Sequence, residues 1–133
     1  MSAYILSRLL SVHGRDFQQR TADLLSSSTP SFQLADLNSL LSRLTAGELR
    51  EAVATAPDAN LSPFLANYVA AMVEMASHRK SISPPAWVNR IEPLDKPAFG
   101  SEIRALRLHL LTHSPAPFRR RNIFVDSSVG DQV

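Results

Sequence analysis

Apolar residues recur at spacings of three and four along most of this chain, the period of helices that bury one face. The clearest run is Leu34, Leu37, Leu40, Leu41 and Leu44, which predicts a helix over residues 33–44. Ile5, Leu6, Leu9, Leu10 and Val12 predict an earlier short helix over residues 3–12. His13-Gly14 is expected to break it, and Asp16 to cap a second helix running to about Leu25, with Phe17, Ala22, Leu24 and Leu25 as its apolar members. Thr45 and Glu48 have the spacing of a capping box and predict a helix through about Ala54, with Leu49, Ala52 and Val53 inward. Ser62-Pro63 reads as an N-cap followed by proline at the first helical position. The helix it opens, to about Ser77, is apolar almost all round, and Asn67 and Glu74 are its few polar members. Such a helix sits at the centre of a bundle or under a partner.

The second half is more broken. Ser83 is expected to cap one or two helical turns over residues 84–90, and residues 91–100 to run irregularly between Pro93 and Pro97. Ser101 is expected to cap a helix whose stripe is Ile103, Leu106 and Leu110. Ser114-Pro115 repeats the cap-plus-proline signal and starts a final turn through Phe118 and the arginines, with Asn122 taking the left-handed position that stops it. Ile123, Phe124 and Val125 read as a short strand or an extended segment on the core, and residues 126–133 as a frayed tail. The expected fold class is all-α, one helical domain over residues 1–133, a compact bundle of about six short helices with a short extended C-terminal segment.

Charge changes this picture more than composition does. The net charge of +2 divides unevenly. Residues 1–78 hold five arginines against seven acids, whereas residues 79–121 hold nine lysines and arginines against Glu92, Asp95 and Glu102. A surplus made mainly of arginine suits carboxylate or phosphate partners, although a solvated basic face is the plainer account. There is no cysteine, which removes a disulfide framework, a thiolate zinc site and a cysteine nucleophile. The N-terminus lacks a basic leader region and Arg8 interrupts its apolar run, so no secretory signal is read there. No run approaches the roughly 20 apolar residues of a membrane span, and a cytoplasmic location is expected.

Candidate chemistry is sparse. His109 and His113 have the spacing of helical zinc ligands, but Leu110 stands where the metalloprotease pattern needs glutamate, and no third ligand is evident. The four glycines are scattered and make no phosphate loop. Residues 33–44 and 46–54 have the outline of a helix-turn-helix, yet the second segment carries one arginine and two glutamates, poor chemistry for phosphates and base edges. No catalytic residues, metal or cofactor are therefore assigned. The candidates for partner binding are Arg104 and Arg107, three apart on one helical face, the run Arg119, Arg120 and Arg121, and Trp87. Adjacent residues on a helical turn point in different directions, so one or two of the three arginines are expected to pair with buried acids or helix carbonyls and the rest to face outward. Trp87 is more often a core anchor than a ligand platform, but tryptophan is also over-represented among interface hot spots.

The segments PPAWVNR, KPAFGS, IRALRLHLLTHSP and FRRRNIFV together resemble a group of small bacterial antitoxin-type or regulator-type proteins. These carry a P-x-W element, an A-L-R helix and a closing S-P-x-x-F-[KR]-R-R-N-I-F-V. The resemblance covers about residues 65–129, and many members are encoded beside a nucleotidyltransferase-fold toxin. It implies a protein that neutralises a cognate toxin through its basic C-terminal surface. Longer members carry a helix-turn-helix domain that this chain lacks in recognisable form. The alternative is a transcriptional regulator placing the same arginines on DNA or RNA, and a third reading is a self-associating module built on helix 63–77.

Overall fold

The computed structural model describes residues 11–26, 31–99 and 115–125. Among them run α1 (Val12–Asp23), α2 (Ser31–Arg43), α3 (Ala46–Ala52), α4 (Pro63–Arg79), a 3-10 turn (Ala86–Arg90) and the one-turn α5 (Ala116–Arg119). Two short strands, β1 (Ala98–Phe99) and β2 (Ile123–Phe124), pair in parallel with Ala98 opposite Ile123 and Phe99 opposite Phe124. The fold is all-α, and this two-residue pairing is the extended C-terminal segment that the apolar triplet predicts. The helix expected over residues 3–12 lies, but for its last two positions, outside the described residues, as does the helix expected from Ser101.

α4 forms the middle of the core. Val69, Ala70, Ala71 and Val73 are fully enclosed, and Asn67, Glu74 and Ser77 are buried with them. The leucine stripe of α2 meets α4, with Leu37 and Leu41 inaccessible to solvent. α1 packs mainly on α3 and also on α2, bringing Phe17 against Leu49 and Val53 in the same core cluster. Three buried polar side chains donate to backbone carbonyls. Thr21 Oγ1 donates to Phe17 O at 3.1 Å, Ser77 Oγ to Val73 O at 2.8 Å, and Asn67 Nδ2 to Pro63 O and Glu92 O, both at 2.9 Å. The last three bonds are how α4, nearly without a polar face, keeps Ser77 and Asn67 inside, while Asn67 Oδ1 has no hydrogen-bond partner among the described residues.

Helix starts follow the capping signals in two places and depart from them in three. Ser62 accepts from Leu65 N at 3.3 Å with Pro63 behind it. At α3, Thr45 Oγ1 accepts from Glu48 N at 3.2 Å while Glu48 Oε1 accepts from Thr45 N at 3.0 Å, so the capping box is complete. α1, by contrast, is not broken at His13-Gly14 and is not capped by Asp16. Ser11 caps it by accepting from Gly14 N at 3.0 Å, and the helix runs straight through the glycine. Gly14 is the third helical residue, where the serine hydroxyl already holds its N–H, and it is buried. Asp16 instead pairs with Arg20 one turn on, at 3.1 Å. Ser83 does not cap the 3-10 turn either. Pro85 occupies that position, and its fixed backbone replaces a side-chain bond. Pro115 does the same for α5, one residue after the serine expected to act.

The capping box gives a pH-dependent expectation. Glu48 is held below the usual carboxylate range by its bonds to the Thr45 backbone and side chain, with His13 adding to the effect. A depressed folded value means that the stabilisation is present above the ordinary carboxylate pKa and is lost as pH falls through the folded one. Glu48→Gln keeps the geometry without the charge. Its melting temperature will lie below that of the wild type at neutral pH, and the gap will close in acid. A constant gap from neutral to acidic pH speaks against this account.

The end of α4 is a Schellman turn. Ile82 N donates to Ser77 O at 3.0 Å and Ser81 N to His78 O at 3.1 Å, with Ser81 at φ 58°. A serine in this region is strained, and glycine is not. Ser81→Gly will raise stability by about 0.5–1 kcal/mol in denaturant titration. Asn122, at φ 62°, looks like the same case but is not. Its Nδ2 donates to Leu94 O at 2.5 Å, so Asn122→Gly will destabilise. Equal effects at the two sites would contradict this distinction.

Candidate partner-binding site

The last described segment lies along α4. Phe118 is fully buried and meets Tyr68 edge-on, with ring centroids 5.0 Å apart. Two turns further along α4, Glu74 meets the arginines that follow Phe118. Backbone bonds fix the outer side, where Leu94 N donates to Arg121 O at 3.3 Å and Ala98 N to Asn122 O at 2.7 Å. The turn that carries the three arginines is therefore held from both sides by the core and by residues 94–99.

The three arginines have different fates. Arg121 turns inward and is only 5 % exposed. Its Nη1 donates to Pro117 O at 2.7 Å and its Nη2 to Val88 O at 3.1 Å, and Nη2 also lies 3.0 Å from Glu74 Oε1. Burial lowers its pKa, and the neighbouring Arg120 acts in the same direction, although a guanidinium remains charged throughout the working range. Arg120 pairs with Glu74 Oε2 but leaves more than half of its side chain in solvent. Arg119 is exposed and makes no ion pair among the described residues. Glu74, itself 4 % exposed, thus sits between an internal and a half-exposed guanidinium. Glu74 Oε1, 3.0 Å from Arg121 Nη2, and Arg121 Nε have no hydrogen-bond partner among the described residues.

Trp87 is 7 % exposed and belongs to the core. Its Nε1 donates to Val53 O at 2.7 Å, and its ring stands 6.3 Å from that of Phe17. Val53 is the C-cap residue of α3, so the indole satisfies a carbonyl that the helix leaves free. Trp87 is thus not brought together with the arginine turn at the surface. Arg104 and Arg107 lie outside the described residues.

Other parts of the surface offer less. A recess of about 280 Å³ between α1 and α3 is lined by Ser11, Gly14, Gln18, Glu51 and Thr55. Gln18 is already engaged there, donating to Ala56 O at 3.0 Å and accepting from Asp58 N at 2.8 Å. Among the described residues no three histidine, aspartate or glutamate side chains gather as a metal ion requires. No helix among them is long and apolar enough to cross a membrane.

Sequence reasoning anticipated that some of the arginines would turn inward but not which ones, and it missed Glu74 as their hub. The available signal was a lone glutamate amid the apolar positions of 63–77, which burial makes costly without a cation nearby. Compared with protein-family models, with curated proteins and with solved structures, the chain matches none.

Proposed function

We propose that this chain is an antitoxin-like binding protein, not an enzyme, and that it neutralises a cognate toxin of nucleotidyltransferase type through its basic C-terminal surface. The observation that supports the reading is the arginine turn itself. Arg121 and Glu74 lock it to the core, so Arg119 and Arg120 are presented outward on a backbone that does not need to be ordered on binding. A phosphoryl-transfer site holds metal-binding carboxylates, and outward guanidiniums are a fitting plug for it.

The test is a tagged pull-down of the full chain from its native host, with and without nuclease, followed by expression of any stoichiometric protein encoded beside it. That protein is expected to arrest growth alone and to be neutralised by the wild-type chain. Neutralisation is expected to fail when Arg104, Arg107 and Arg119 are changed together to glutamate. Neutralisation that survives this triple reversal rejects the reading. Recovery of nucleic acid without a stoichiometric protein, with affinity falling steeply as salt rises, replaces it with nucleic-acid binding.

A further inference from the structure

We propose, resting on the partner-binding reading above, that the docking surface continues from Arg119 and Arg120 along α4 to His78 and takes a carboxylate-bearing segment of a protein partner. Phe118 meets Tyr68 and the following arginines meet Glu74, so α5 and α4 run in the same direction. The outward arginines therefore lie towards the C-terminal end of α4. His78 is one helical turn beyond Glu74 on the same face, about 5–6 Å away between Cβ atoms, and is exposed. Arg79 ends α4 and Lys80 is its C-cap, with Lys80 Nζ donating to Ser42 O at 3.1 Å.

The carboxylate within this surface is internal. Glu74 is buried and keeps Arg121 as a partner, so Arg120 can turn from Glu74 to an incoming carboxylate without leaving a bare charge in the core. Arg119 needs no such exchange because it makes no ion pair among the described residues. Asp95, exposed on the segment bonded to the Arg121 backbone, pairs with neither outward arginine. What results is two exposed guanidiniums at the end of α5 and an exposed imidazole in the last turn of α4. That arrangement suits acidic side chains spaced along a peptide or at the rim of a catalytic cleft.

The probe is a labelled oligoglutamate peptide titrated into the full chain at low salt, beside a single-stranded oligonucleotide of equal charge. Arg119→Glu and His78→Glu are each expected to weaken peptide binding by about fivefold or more, whereas Arg50→Glu on α3 changes it by less than about twofold. The proposal is overturned if His78→Glu binds like the wild type, if Arg50→Glu is equally damaging, or if the oligonucleotide binds more tightly than the peptide. The two readings fail separately. Toxin neutralisation by the wild-type chain with no effect of His78→Glu on peptide binding sinks the extended docking surface alone. Peptide binding that depends on His78 in a chain that neutralises no toxin sinks the antitoxin reading alone.

Discussion

Arg121→Met will destabilise the protein by about 3–5 kcal/mol, the range found when one partner of a buried ion pair is removed. The loss has two parts. Glu74, 4 % exposed, is left with Arg120, whose guanidinium is mostly in water and screens it poorly. The carbonyls of Pro117 and Val88 also lose their donor, at about 1–3 kcal/mol for each that stays buried and unpaired. Glu74→Leu will be costly for the converse reason, since it leaves the Arg121 charge inside with only two carbonyls around it. The double variant will fall short of the sum of the two singles by about 2 kcal/mol, because the stranded charge of each single variant is absent from it. It will not return to wild-type stability, because the two carbonyls stay bare. Denaturant midpoints at constant slope measure all three. Strict additivity would show that Glu74 and Arg121 do not act as a pair.

Nothing local in the sequence marks Arg121 as the inward member of its run. Three identical residues in succession differ only in the direction set by the turn, and that direction is fixed by Phe118 seating on Tyr68 and by Asn122 entering the left-handed region. The second of these was legible, because asparagine tolerates that conformation and follows a helical turn here. Glu74 was legible as a misfit in an apolar helix, but its partner lies 46 or 47 residues away in sequence, where periodicity carries no information. The signals that held were short-range and stereochemical, namely the Thr45–Glu48 box, Ser62-Pro63 and the leucine stripe of α2. The signal that failed at Gly14 was also short-range. A glycine costs a helix only about 1 kcal/mol relative to alanine. A hydroxyl on its own N–H and a buried place beside α3 are enough to outweigh that.

Trp87→Ala will cost about 3–5 kcal/mol, comparable to the loss of Arg121 but by a different route. The indole joins three elements, as a ring beside Phe17 of α1, as a donor to the C-cap carbonyl of α3, and as a buried residue of the 3-10 turn. Truncation opens a cavity at their junction and leaves Val53 O without a donor. Trp87→Phe partly separates the two effects. It keeps a ring against Phe17 but loses the hydrogen bond and the volume of the indole's second ring, so its cost will be about 1–3 kcal/mol, below that of alanine. Circular dichroism in denaturant is the suitable measurement, because Trp87 is the sole tryptophan and its replacement removes the fluorescence signal. The ordering also separates the two meanings that a lone tryptophan carries. A core anchor makes both variants unfold earlier, alanine before phenylalanine. An interface anchor leaves both midpoints at the wild-type value and weakens partner binding instead. With the side chain almost wholly enclosed and its one polar atom bonded within the chain, the first pattern is expected. Its absence would mean that the junction of α1, α3 and the 3-10 turn does not depend on the residue at its centre.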